Sequence, residues 1–207
     1  MIQEIRIYVE GGGSDTNTKA RFRQSMGRFL DELRQKARER RIGWQVIACG
    51  SRSDAFRDFR NAHISHPNAM NFLLVDSEGP VHMGVRDHLY NRAGDGWDLG
   101  DYEDDQLHMM IQMMESWFLA DREALQQYYG AGFKIGALPN NPHVEQIPKQ
   151  DVQRSLRQAT RETTKREYHK TRHGPDLLER ISPSKVRDAA PACERLFITL
   201  KRSISGL

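Results

Sequence analysis

Cysteine is scarce: only Cys49 and Cys193 occur among 207 residues. Two thiols cannot build a disulfide framework or a four-cysteine zinc site. Their places, at the end of one apolar run and the start of a helical pattern, mark them as packing residues. Long hydrophobic runs are missing as well. No window approaches the roughly 18 consecutive apolar residues that a membrane span requires. The opening MIQEIRIYVE carries acids inside its apolar run and no small-residue cleavage site, so a signal peptide is not expected. These absences predict a cytoplasmic protein without a membrane partner. Familiar catalytic signatures are lacking too. There is no GxxxxGK[ST], GxSxG or HExxH, and GGGSDT lacks the third glycine of a dinucleotide-binding turn.

What is present supports a globular domain. Hydrophobic residues make up 38% of the chain and charged residues 29%, with 3 Trp, 6 Tyr and 8 Phe to fill a core. The formal net charge of +3 conceals strong segregation. Residues 95–105, DGWDLGDYEDD, hold six acids and no base, whereas Lys149 to Arg202 holds 14 bases against 7 acids. A second basic stretch, RQKARERR, spans 34–41. Such clustering suits a polyanionic partner such as nucleic acid, because clustered bases displace counterions from phosphates. Solvated helix faces would show the same pattern.

Hydrophobic periodicity predicts alternating strands and helices. EIRIYV over 4–9 alternates as a strand and runs into Glu10 and the triplet Gly11, Gly12, Gly13. Ser14 to Thr18 offers helix caps. Phe22, Met26, Phe29, Leu33 and Ala37 then mark one face of a single long helix to Arg41. Strands follow at 44–49 and 71–75, separated by a helix carrying Ala55, Phe56, Phe59 and Ala62. This spacing means βαβ units and a parallel sheet with right-handed crossovers. Residues 79–105 read as a long polar connection, functional or mobile. Residues 107–120 fit either one helix or a strand over 108–113 breaking near Glu115 into a helix. The strand is preferred because it completes the sheet. The expected fold is therefore α/β, about four parallel strands flanked by helices over residues 1–128, with a basic helical extension over 129–207 packed on it.

Open parallel sheets bind ligands at the carboxyl ends of their strands. Four acids fall there: Glu10 after the first strand, Asp76 and Glu78 after the third, and Glu115 after the proposed fourth. Converging carboxylates repel unless a cation sits among them, and oxygen donors suit Mg²⁺ or Mn²⁺. Gly11 to Gly13 permit close approach of a phosphate to backbone N–H groups.

The combination of IYVEGGG with LLVDSE two βα units later resembles the Toprim domain of topoisomerases, primases and a class of nucleases. MMIQMMESWFLAD, REYHKTRHGPDLLERISPSKV and CERLF further resemble a small bacterial family of Toprim-like proteins known only as a domain of unknown function. The resemblance implies that Glu10 acts as a general acid/base or metal-associated group and that Asp76 and Glu78 hold Mg²⁺. It also implies a frequent ATPase neighbour and a role in bacterial defence. The chain departs from the usual aspartate pair by carrying Glu at position 78.

The basic segment supplies candidate phosphate contacts in Lys149, Lys170 and His173, with Tyr168 or His169 as stacking groups. His169 and His173 also have the i, i+4 spacing of a zinc pair, without an evident third ligand. Together with these residues, the resemblance implies a Toprim-like, Mg²⁺-dependent phosphodiesterase acting on nucleic acid, DNA in preference to RNA. The alternative is a non-catalytic Toprim-fold subunit that binds nucleic acid or regulates a partner ATPase. A homodimer is compatible with either. The run Met109, Met110, Met113 and Met114 reads as core or as a partner interface. The acidic stretch 95–105 is a candidate nucleic-acid mimic that would cover the basic surface.

Overall fold

A computed structural model describes residues 2–206. Four parallel strands, β1 (Glu4–Glu10), β2 (Gly43–Gly50), β3 (Ala69–Asp76) and β4 (Leu107–Met110), form one sheet in the order β2-β1-β3-β4. The protein is thus an α/β fold with helices on both faces and a helical C-terminal part. From β1 the chain crosses to one side to form β2 and then to the other to form β3. The carboxyl ends of β1 and β3 therefore flank a topological switch point, where neighbouring loops diverge and leave a crevice.

Strand alternation decides which residues serve which layer. Ile5, Ile7, Val9, Phe72 and Leu74 face one apolar cluster, and Tyr8, Leu73 and Val75 face the other. The first cluster takes residues from α1 (Thr16–Phe29) and α2 (Asp31–Glu39). It is continuous with residues of α6 (Lys149–Thr160), α7 (Lys170–Leu178), α8 (Pro183–Ala189) and α9 (Pro191–Ser205). Phe29 stacks on Trp117 at 5.1 Å between centroids and meets Phe197 edge-on at 5.8 Å, joining the two parts. The second cluster is closed by α3 (Arg52–Ser65), α4 (Val85–Asn91) and the chain around Trp97.

The single helix expected to Arg41 is instead two. Asp15 caps α1, accepting from the N–H groups of Asn17 and Thr18 at 3.0 Å. The helix then breaks at Leu30. Phe29, Leu30 and Leu33 are all buried, and a kink lets consecutive side chains enter the core where a straight helix would expose one of them. The fourth strand is present but short. Beyond Met110 the chain bends and continues as a 3₁₀ stretch, Met114–Ala120, before α5 (Arg122–Tyr129). All four methionines of this run are buried in the core.

The connection 79–105 is tied down rather than free. It contains α4, and Trp97 stacks on Phe56 at 4.3 Å beneath the Arg52 guanidinium at 4.6 Å. Three of the six acids in 95–105 find ion-pair partners. Asp95 pairs with Arg52 at 2.8 Å and Arg92 at 2.7 Å, Asp104 with Arg86 at 2.8 Å, and Asp105 with Arg195 and Arg202, each at 3.7 Å. Asp98, Asp101 and Glu103 have no ion-pair partner among the described residues, so half of the stretch's charge stays uncompensated. No helix among the described residues is long and apolar enough to cross a membrane.

Candidate metal centre

Glu10 ends β1, where the strand's hydrogen bonding to β2 shifts by one residue between Val9 and Glu10. The glycines that follow turn sharply away. Gly11 exchanges two 2.9 Å backbone hydrogen bonds with Gly50 at the end of β2. Gly50 has φ +91°, and a Cβ there would lie 2.7 Å from the Gly13 carbonyl oxygen. A Cβ on Gly11 would meet the Phe22 ring at 2.6 Å. Only glycine fits this close approach of two chain segments. The backbone N–H groups of Gly12 and Gly13 have no hydrogen-bond acceptor among the described residues. They stand beside a cavity of about 180 Å³ lined by Glu10, Gly11 to Gly13, Gly50, Asp76 and Lys170, among others.

Asp76 ends β3 and is 1% exposed. Its Oδ1 accepts from the Met114 N–H at 2.8 Å, and its own N–H donates to Glu10 Oε2 at 3.0 Å. Its Oδ2 lies 3.4 Å from Lys170 Nζ. Burial pushes the Asp76 carboxyl up to about 7; Lys170 opposes the shift, and Glu10 and Glu115 add to it. Burial also raises Glu10, against the Asp76 N–H and the Arg52 guanidinium at 3.8 Å. At Lys170 burial opposes the charge, but Asp76, Glu115 and Glu10 outweigh it and hold the ammonium's pKa above its usual value.

Glu115 sits in the 3₁₀ stretch, beyond the strand end expected to carry it. It is 1% exposed, its Oε1 accepts from the Tyr168 hydroxyl at 2.9 Å, and Lys170 Nζ is 3.8 Å from Oε2. Oε2 has no hydrogen-bond partner. Glu78 adopts a left-handed conformation with φ +65°, which turns its side chain back to the edge. There it pairs with Lys149. Gln112 braces that turn, accepting from the Glu78 N–H through its backbone and from the Lys149 N–H through its side chain, both at 2.9 Å.

One carboxylate oxygen from each of Glu10, Asp76 and Glu78 lies within 4.8 Å of the others. The sequence-predicted trio therefore converges at the switch point. Glu115 approaches through Lys170 rather than as a member of that trio. Lys149 and Lys170, expected on phosphate, have their ammonium groups on the acids. His173 is buried away from the cavity lining. Its Nδ1 accepts from the His169 N–H and faces the Tyr129 hydroxyl, both at 3.2 Å. His169 is exposed and precedes α7, so the two rings do not share a helical face. Cys49 and Cys193 are buried, and burial pushes the Cys49 thiol up to about 12, as packing residues require.

The residues present fit a small, hard dication. The donor set is entirely oxygen, two of its carboxyls are destabilised as anions by burial, and a neighbouring buried carboxylate oxygen is orphaned. Sequence reasoning missed three contributors. Arg52 holds Asp95 and the Asp76 carbonyl, Tyr168 holds Glu115, and Gly50 makes room for the glycine turn. Arg52 had one legible signal, its place in the first helical turn after a strand's carboxyl end. The pairing of Tyr168 with Glu115 joins positions 53 residues apart and had none.

No curated protein and no solved structure matches the chain. Residues 9–201 match the model of a single family, so nearly the whole chain, trio and C-terminal bases included, lies inside it: the protein belongs to the family described as Domain of unknown function (DUF4276).

Proposed function

We propose that the protein is a Toprim-like, Mg²⁺- or Mn²⁺-dependent phosphodiesterase that cleaves nucleic acid, DNA in preference to RNA, in the bacterial cytoplasm. The observation that carries this reading is the convergence of Glu10, Asp76 and Glu78 within 4.8 Å beside a glycine turn with free N–H groups. These three residues would hold the ion, which when bound supplies charge neutralisation at a phosphoryl oxygen and a more acidic water. Glu10 Oε2 accepts from the Asp76 N–H, which leaves Oε1 either to hold the ion or to exchange a proton. The Gly12 and Gly13 N–H groups orient phosphate oxygens, and Lys170 places positive charge where the transition state gathers negative charge.

A second reading is favoured by one specific feature. Lys149 already covers Glu78, and Lys170 already covers Asp76. A self-neutralised edge suits a non-catalytic subunit that binds nucleic acid or regulates an ATPase. The purified protein incubated with plasmid, linear DNA and RNA, each in Mg²⁺, Mn²⁺ or EDTA, separates the two. Metal-dependent cleavage that Asp76→Ala abolishes, with the fold intact by circular dichroism, supports the enzyme. Full activity in that variant removes Asp76 from the mechanism, and metal-independent binding without cleavage supports the subunit.

A further inference from the structure

The open edge of β2 and one face of α1 enclose a groove of about 790 Å³, separate from the cavity at the acids. Lys19, Arg23, Arg28 and Arg34 line it, and no acid does. Lys19 and Arg23, four residues apart, share one flank of α1, and Arg28 stands on the other flank of the groove. Arg34 pairs with Asp31, but Lys19, Arg23 and Arg28 have no carboxylate partner among the described residues. Other arginines of the same surface, Arg57 and Arg154 among them, do have one. Four bases and no acid thus face one groove, a lining that suits a polyanion.

The floor of the groove is low. Ala20 and Gly27 lie on the same helical face, and a Cβ on Gly27 would meet nothing within 4 Å. The opposite wall is the outer edge of β2, from Trp44 to Ala48, where no further strand pairs among the described residues. At its upper end the groove joins the acidic edge. Lys19 Nζ lies 3.2 Å from the position a Gly50 Cβ would take, and Gly50 also lines the cavity of Glu10 and Asp76. From Lys19 to Arg28 the basic residues span about 14 Å of the helix axis. That length matches several successive phosphates of one strand at about 3.4 Å of axis each.

We infer that this groove binds the sugar-phosphate backbone of a nucleic-acid strand leading to the acidic centre, with Lys19, Arg23 and Arg28 as phosphate contacts. The inference deepens the phosphodiesterase reading and rests on it for the choice of polyanion. The contacts address phosphate alone, so binding is independent of base sequence and falls with salt. An open strand edge could instead pair with a second copy of the chain. The unpaired arginines beside it argue against that, because two copies would bring the same charges together.

The test is fluorescence anisotropy in EDTA, where no cleavage intervenes, with a labelled 20-nucleotide single strand and the same sequence as a duplex. The wild type, Arg23→Glu/Arg28→Glu and, as a control on another exposed basic face, Arg154→Glu/Arg157→Glu are compared across salt. The groove variant should bind at least about tenfold more weakly, and its salt slope should shrink by roughly 1.4 to 1.8. The control should change little. Unchanged affinity of the groove variant at matched salt, or a larger loss in the control, overturns the inference. So does a self-association, seen by sedimentation, that the groove substitutions abolish while nucleic-acid affinity stays constant. Weakened binding together with no metal-dependent cleavage by the wild type keeps the groove and discards the phosphodiesterase.

Discussion

Replacing Asp76 by asparagine separates a metal ligand from a structural ion-pair partner. The carboxyl is 1% exposed, and its pKa is pushed from 3.8 up to about 7. At pH 8 the wild type carries this anion at a cost of up to about 4 kcal/mol, taken from about 1.4 kcal/mol per pKa unit. The amide keeps an oxygen for the Met114 N–H and removes the repulsion with Glu10 and Glu115. The metal-free variant should therefore be at least as stable as the wild type at pH 8. The sign follows from the raised pKa: the protonated form suits the fold, so stability is full below the unfolded value and is lost as pH rises through about 7. The advantage of the amide should accordingly shrink to about 2 kcal/mol at pH 5 and vanish only below the unfolded value of 3.8.

Metal narrows the gap between the two proteins. For a site with Kd about 1 mM, about 10 mM Mg²⁺ stabilises the wild type by about 1.4 kcal/mol, a rise in Tm of roughly 3–6 °C for a chain of this length. The asparagine variant should show almost none of that rise. Differential scanning fluorimetry at pH 5 and pH 8, with Mg²⁺ and with EDTA, reads all four quantities. A metal-free variant that loses about 3 kcal/mol or more would show that Asp76 exists to pair with Lys170. An equal Mg²⁺ response in both proteins would remove Asp76 from the cradle.

Three further substitutions probe the surroundings. Gly50→Ala should cost about 2 kcal/mol or more, since its φ is +91° and its Cβ would overlap the Gly13 carbonyl; a thermal melt within 1 °C of wild type would contradict the packing of that turn. Tyr168→Phe removes the hydroxyl on Glu115 Oε1 while Oε2 is already unpartnered. The expected loss is about 1–3 kcal/mol by chemical denaturation, and no loss would mean that another group satisfies Glu115. Glu145 is raised to about 7 by burial, against the N–H groups of Ala192 and Cys193 at the start of α9. Glu145→Gln should therefore stabilise the protein at pH 8 relative to pH 5, by about 2 kcal/mol after allowance for solvent screening. A variant less stable at pH 8 would show that the helix terminus favours the anion more than burial disfavours it.

Local pattern determined the strands and their faces. EIRIYV and NFLLV carry their burial in their order, because successive side chains of a strand point to opposite sides. Glu10, Asp76 and Glu78 were legible for the same reason: acids that close apolar strands of a parallel sheet must collect at one rim. The break at Leu30, the 3₁₀ stretch around Glu115 and the anchoring of 79–105 were not. Each depends on how a segment fits a surface built by distant residues, which periodicity does not record. Charge was legible only as composition. Which bases cover acids and which remain free is decided by tertiary contact, since Lys149 reaches Glu78 and Lys170 reaches Asp76 across 71 and 94 residues. The same folding that spends those two lysines on carboxylates leaves Lys19, Arg23 and Arg28 without carboxylate partners among the described residues, around one groove beside β2.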